Sequence, residues 1–489
     1  MHRFGRAAVV LLALLSLFTM TAGVAVARML PSRLALWRLP TVASRSLAGA
    51  GPVLSGVPDP ADGLGGSSRS AYSGPAATVA GVSAALSPML RPATLGSHIG
   101  AVVEDLSTGQ VLLSRNGGSE FAPASTAKLA VAVAALDVLG PAATFTTRVV
   151  TGPTAGSVVL VGGGDPTLAA GHPPASNYPQ PATLAALAAQ TARALRAKGI
   201  HAVRLSYDTS LFTGPGMAPG WPDSYVTTGN VTPISSLEVD QGRLTASGAP
   251  QDANDPDNYR ARTFSPAPEA AEAFASFLSG DGIRVRGAVR PGAAPHGSGT
   301  LAAVASPPLA EIVAWMLTQS NNVIAENLAR QVAIATGRPA SFSGAAAAET
   351  AVLRKLGIRG GIRLVDGSGL SPQDRITPGA EIQLLSLAAS ASHPGLRAVI
   401  TGLPVAGFSG TLAPGGSVFP DVGQPGLGVV RAKTGNLLTV VSLAGLALAR
   451  NGQLFAFSFM ADRLPSGGLD SGASDMTSLA TSLAACGCS

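Results

Sequence analysis

The stretch FAPASTAKLAVAVAAL, residues 121–136, constrains the fold more than any other part of the chain. From Ser125 to Leu139 nearly every position is small or apolar, and Gly140-Pro141 supplies a stop, so the pattern predicts a helix buried on almost all its faces. One residue breaks that pattern. Lys128 stands one turn in, three residues after Ser125, where burial penalises a charge. The chain has 33 basic residues, yet only four are lysine: Lys128, Lys198, Lys355 and Lys433. A chain that uses arginine almost everywhere has placed a lysine inside its most apolar helix.

Acid–base chemistry gives lysine a reason to be there. Arginine stays protonated in proteins, whereas a desolvated lysine can lose its proton and then activate a neighbouring hydroxyl. Residues at i and i+3 share a helix face, so the Lys128 amine can reach the Ser125 hydroxyl. The backbone N–H of a serine at a helix start also lies at the positive end of the helix dipole, ready to hold a developing anion. Taken alone, S-x-x-K also fits a capping serine and a lysine that reaches out to water. Two further motifs shift the balance. Ser320-Asn321-Asn322 lies at a junction between two helical patterns, and Lys433-Thr434-Gly435 follows the strand-like VVRA. Two of the four lysines thus fall in the two motifs that need one.

At 489 residues, with 46% apolar and 12% charged residues, the chain can bury a sizeable core and has room for two or three units. The net charge of +6 comes from scattered arginines, with no basic block interleaved with aromatics, which argues against nucleic acid as a partner. The six histidines, His98, His201 and His393 among them, show no paired-ligand spacing, so no metal site is expected. The two cysteines, Cys486 and Cys488, stand too close together to suggest a disulfide framework.

Residues 1–27 read as a signal peptide or signal anchor: Ala7 to Ala27 is an uncharged apolar run that ends in an A-x-A pattern before Arg28. This predicts work outside the cytoplasm, secreted or attached to a membrane through that segment. With no cysteine beside the run, a lipid anchor is not expected. Residues 28–75, rich in Ala, Gly, Pro and Ser, read as a linker. Strand-like HIGAVVEDL and QVLLSR follow, joined by a turn, and then the lysine-bearing helix. Between about 150 and 300 the texture changes to short strands, Gly/Pro-dense loops and two helices near 182–197 and 267–279. The chain closes with the strands VVRAK, TVVSLAGLALA and LFAFSFMA, Asn451-Gly452 turning between the last two, and a helix near 472–485. Strands at both ends with helices between predict an α/β domain (76–150 and 301–489) interrupted by an inserted domain at 151–300.

S-x-x-K, S-x-N and K-T-G in this order resemble the active site of penicillin-binding proteins and serine β-lactamases. The long insertion, GGGDPTL (162–168), DGSGLS (366–371) and LPVAGFSGTL (403–412) narrow the resemblance to the class C low-molecular-mass D-alanyl-D-alanine carboxypeptidases and DD-endopeptidases, over roughly 85–485. The middle motif has Asn321 where many relatives have aspartate. The resemblance implies a transpeptidase-like fold, an antiparallel sheet with helices on both faces, and no cofactor. It implies a serine peptidase acting on peptidoglycan stem peptides that end in D-Ala-D-Ala, with β-lactams as covalent inhibitors.

Residue by residue, Ser125 would be the acylated nucleophile and Lys128 its base. Ser320 would relay a proton to the leaving amine, and Asn322 would hold the substrate amide. Lys433 and Thr434 would bind the terminal carboxylate, Gly435 would let the substrate backbone lie close to the strand, and the N–H groups of Ser125 and Asn436 would form the oxyanion hole. Lys433 would also depress the Lys128 pKa. Smaller expectations concern Asp165 and Asp366 as loop organisers, Trp221 and Tyr225 as anchors of the long loop, and Glu326 as an ion-pair partner of Arg330. Two other functions fit parts of the pattern. A β-lactamase would need a deacylating carboxylate between SNN and KTG, where Glu349 and Glu381 are the only glutamates after Glu326. A non-catalytic wall-binding scaffold would have no need for the full motif set.

Overall fold

The computed structural model describes residues 75–244, 260–415 and 419–489. The signal or anchor segment and all but the last residue of the linker lie outside the described residues. Among those described, no helix is long and apolar enough to cross a membrane.

From the N-terminal side the order is α1 (Val79–Leu86), β1 (Ile99–Asp105), β2 (Gln110–Arg115), a single 3₁₀ turn (Ala124–Ala127) and α2 (Lys128–Leu139). Then come β3 (Thr146–Thr151), β4 (Ser157–Val161), α3 (Leu184–Arg196), β5 (Ala202–Asp208), α4 (Pro266–Gly280), β6 (Arg284–Val285), β7 (Arg290–Pro291) and β8 (Thr300–Ala305). The chain continues through α5 (Leu309–Gln319), α6 (Asn322–Ala335), α7 (Phe342–Lys355), β9 (Ile362–Arg363), β10 (Arg375–Ile376) and α8 (Pro378–Ala389). It ends with β11 (Val430–Leu437), β12 (Val440–Leu448), β13 (Leu454–Ala461) and α9 (Leu469–Ala485).

Strands from the two ends of the chain build one antiparallel sheet in the order β11-β12-β13-β1-β2. Its central strands are apolar on both sides because both faces are covered. Alternate residues of β13, Phe455, Phe457 and Phe459, meet Met476, Leu479 and Leu483 of α9 and Val82 and Leu86 of α1. The residues between them turn the other way: Ala456 packs with Leu384 and Leu385 of α8 and the apolar body of α2, and Ser458 donates to Glu381 of α8 at 2.7 Å. This is the α/β, helix-on-both-faces arrangement expected from the motifs. Helix α2 is the centre of the core, buried from Lys128 to Leu136 as its uninterrupted apolar sequence requires.

The inserted region forms a second sheet, β6-β5-β4-β3-β8, with β7 paired to β5. Helices α3 and α4 cover one face, with Leu184, Leu187, Phe274 and Leu278 against Val149, Leu160 and Leu205. Strands β3 and β8 pair with each other, from Thr146 to Ala305, inside this second sheet. We propose those residues as the limits of the insertion, in place of 151 and 300.

Two smaller expectations differ from the structure. Cys486 and Cys488 are joined by a disulfide, with Cα atoms 5.0 Å apart; the backbone after α9 turns tightly there, with Cys488 at positive φ, and such a local bridge cross-links no elements. Glu326 does attract Arg330 through space, but it is not given over to that pair. Its oxygens accept from the Gly367 and Ser368 N–H groups at 2.8–3.1 Å, because the loop passes directly over that face of α6.

Candidate active site

The turn that carries Ser125 is held from several sides. Phe121 exchanges backbone hydrogen bonds with Ile376, both 2.9 Å. Asp462 accepts from the Ala122 N–H at 3.0 Å and from His98 at 2.6 Å, and the Pro123 carbonyl accepts from Ser442 at 2.6 Å and Thr126 at 2.8 Å. Ala124 takes a left-handed conformation, φ 48°, immediately before the serine. That strained step turns the Ser125 side chain toward the cleft, where it is half-buried among fully buried neighbours.

Lys128 is 0% exposed and its amine has three partners: Ser125 Oγ at 2.9 Å, Asn322 Oδ1 at 2.7 Å and the Ser368 carbonyl at 2.6 Å. A neutral amine has two hydrogens and one lone pair. Asn322 and Ser368 offer only acceptor oxygens, so the two hydrogens go to them and the lone pair is left for the Ser125 hydroxyl. Burial lowers the Lys128 pKa from 10.5 to about 7, against the opposing pull of Asp366, Glu326 and Asp374. The expected assistance from Lys433 is absent. Burial, and then the Lys128 charge, push Lys433 itself well below its usual value. The charge effect thus runs from Lys128 onto Lys433 and not the other way.

Ser320 ends α5 in a left-handed conformation, φ 55°, which reverses the chain before α6. Asn321 caps α6 by accepting from the Ile324 N–H, and its own amide donates to Gln241 at 2.6 Å. Asn322, the first residue of α6, donates from Nδ2 to the Asn230 carbonyl at 2.9 Å. The Lys433 amine, fully buried, donates to Ser320 Oγ at 2.8 Å and to the Thr434 carbonyl at 2.7 Å. Thr434 and Thr411 hydroxyls are 2.7 Å apart. The S-x-x-K and K-T-G residues thus each bond to the S-x-N motif, Lys128 to Asn322 and Lys433 to Ser320, so the short SNN turn joins the two hydrogen-bonded groups.

Strand β11 is an edge of its sheet. Its outer rim is occupied first by residues 404–406, where Ala432 N–H donates to Pro404 and the Val430 carbonyl accepts from Ala406. By the alternation of a strand, the main-chain groups of Thr434 and Asn436 face the same outer rim, beyond the point where those residues leave it. Gly435 has a packing role besides the substrate role expected of it. A Cβ there would collide with Ser442 and lie 2.7 Å from the Pro123 carbonyl and 3.1 Å from the Ser125 nitrogen, so the missing side chain lets β11 press against the serine turn itself.

The expected loop organisers behave as such. Asp165 Oδ1 accepts from the Thr167 N–H and hydroxyl at 2.8 and 2.6 Å. Asp366 accepts from the N–H groups of Gly369 and Ser371, both at 2.7 Å, and from Trp221 Nε1 at 2.8 Å. Trp221 and Tyr225, which reaches the Leu370 carbonyl at 3.4 Å, anchor the long loop as predicted. A Cβ on Gly369, φ 82°, would collide with the Ala124 carbonyl, so this loop and the serine turn are in direct contact. The Ser368 and Asn230 carbonyls were not legible as site groups. DGSGLS marked the first without giving it a role, and nothing in the sequence marked the second.

The model of the D-Ala-D-Ala carboxypeptidase 3 (S13) family matches residues 82–261 and 243–483. The chain belongs to this family. It is a serine-type D-Ala-D-Ala carboxypeptidase. A carboxypeptidase of Mycobacterium tuberculosis is 38% identical over 417 residues, covering 84% of this chain and 85% of the relative. A D-alanyl-D-alanine carboxypeptidase of Actinomadura is 30% identical, over 76% of this chain and 78% of that one. The crystal structure of penicillin-binding protein 4 from Haemophilus influenzae aligns with TM-score 0.64 and 25% identity, covering 82% of this chain and 97% of that chain.

Proposed function

We propose that Ser125 and Lys128 form the acylating pair of an enzyme that removes the terminal D-alanine from peptidoglycan stem peptides. The observation that carries this reading is the Lys128 amine, held by two acceptors with its third contact on Ser125 Oγ. Lys128 takes the hydroxyl proton as Ser125 Oγ bonds to the penultimate D-Ala carbonyl. The N–H groups of Ser125 and Asn436 hold the resulting oxyanion. When the peptide C–N bond breaks, the leaving amine takes a proton through Ser320, whose hydroxyl is in contact with Lys433. Water then cleaves the ester and returns a proton to the Ser125 oxygen. Asn322 aligns the substrate amide through its remaining N–H, and Lys433 and Thr434 receive the terminal carboxylate. A bound carboxylate favours the charged form of Lys433 and reverses the effect of burial.

β-Lactams acylate the same serine and leave slowly. Glu349 and Glu381 lie buried within α7 and α8, which favours a long-lived adduct over β-lactamase turnover. Endopeptidase cleavage of cross-links is the same chemistry on a bulkier leaving group. Action outside the cytoplasm agrees with the apolar N-terminal run. Release of D-alanine from a synthetic pentapeptide, present in the wild type and absent in Ser125→Ala, is the expected result; equal release by the variant would remove the assignment.

A further inference from the structure

Arg262 lies outside all three motifs, in the inserted region. Its guanidinium is buried and donates to two main-chain carbonyls, from Nε to Gly229 at 2.7 Å and from a terminal nitrogen to Gln241 at 2.6 Å. Its own N–H donates to the Val226 carbonyl at 2.9 Å. Both guanidinium partners adjoin the SNN motif. Gly229, at φ 78°, precedes Asn230, whose carbonyl receives the Asn322 amide. The Gln241 side chain receives the Asn321 amide at 2.6 Å.

A carboxamide turned by a half rotation exchanges its oxygen and nitrogen. Turned that way, Asn322 would set an NH₂ donor against the Lys128 amine and leave the lysine hydrogen without an acceptor. The Asn230 carbonyl selects the other orientation, because only Nδ2 can donate to it. The Asn230 carbonyl lies in the Asn230-Val231 peptide, and the N–H groups of Asn230 and Val231 donate to the Tyr225 carbonyl at 2.8 and 3.1 Å. The preceding peptide is held from its other side by the Arg262 fork on the Gly229 carbonyl, so the selection lasts only while these two consecutive peptides keep their direction. We propose that Arg262 is a positioning residue for acylation: by clamping Gly229 and Gln241 together, it fixes the Asn322 amide and so aims the Lys128 lone pair at Ser125. This rests on the assignment of Asn322 to the acylating group. A planar guanidinium suits the task because its donors diverge at fixed angles toward two carbonyls, which a single ammonium does not reproduce.

The test is the rate of acylation by a fluorescent penicillin in wild type, Arg262→Lys, Asn322→Ala and the double variant. The final labelled fraction counts folded sites, so the rate per site is separate from any loss of fold. Asn322→Ala is expected to slow acylation about 10²-fold and Arg262→Lys about tenfold, as displaced catalytic geometry does. In the double variant the rate should equal that of Asn322→Ala alone, because the arginine acts through the asparagine. Arg262→Gln, which keeps one donor, carries the same cycle if the lysine variant does not fold. An unchanged rate per site in the arginine variants, or full multiplication of the two losses, would overturn the clamp. An unchanged rate in Asn322→Ala would instead remove the assignment of Asn322, and the clamp with it.

Discussion

Replacing Asn322 by Asp tests the electrostatic poise of Lys128. The change keeps the side-chain shape but sets a carboxylate at the position now 2.7 Å from the lysine nitrogen. With a pKa of about 7, roughly half of the Lys128 amine is neutral at pH 7; at the ordinary 10.5 only about three molecules in 10⁴ would be. Burial therefore supplies about 10³ in available base. An opposite charge in contact raises a lysine pKa by about 1–3 units, so the neutral fraction at pH 7 falls roughly five- to five-hundred-fold. The sign matters: the active form is the deprotonated one, so the rate must recover as pH rises. The assay is the penicillin acylation rate from pH 6 to 10. Wild type should climb through a midpoint near 7, and the variant should climb later. A variant profile with an unmoved midpoint would refute the reasoning, whatever its height, because loss of the bond to Asn230 alone lowers the rate equally at every pH.

Gly435→Ala should cut acylation at least about 10²-fold, since the added methyl presses on Pro123 and Ser442 and displaces the serine turn; pentapeptide turnover reports it. Trp221→Phe removes the indole donor from Asp366 and should cost about 1.5–3 kcal/mol in denaturant unfolding, as for a hydrogen bond to a charged group. Burial raises the Glu238 pKa from 4.5 to about 8, so the folded state holds a proton that the unfolded chain releases, and stability falls as pH rises through that window. Glu238→Gln, which keeps the acceptor for Asn327, should flatten this fall and be the more stable protein at pH 8 by thermal melting.

The catalytic sheet was legible because its central strands β12 and β13 are buried on both faces and read as unbroken apolar runs, and α2 because nothing but Lys128 interrupts it. The three motifs were legible because each needs a specific side chain, and side chains are what a sequence states directly. Their partners were harder to see. The Ser368 and Asn230 carbonyls act through the backbone, so any residue type could have supplied them. The influence of Lys433 on Lys128 was expected from proximity, but burial dominates at Lys128 and the charge effect falls on Lys433 instead. Glu326 looked like a helical ion pair on i+4 spacing alone, and only the fold reveals the loop whose N–H groups it holds. The limits proposed for the insertion differ from 151 and 300 because the pairing of β3 with β8 is a long-range contact that the local sequence does not display.

The most direct measurement is the intact mass of the protein after exposure to penicillin, followed by peptide mapping of the product. A single penicilloyl addition on the peptide containing Ser125, lost in Ser125→Ala and formed at least about 10²-fold more slowly in Lys128→Arg, is the predicted result. An adduct on another residue, or an arginine variant that acylates at the wild-type rate, would contradict a neutral lysine as the base.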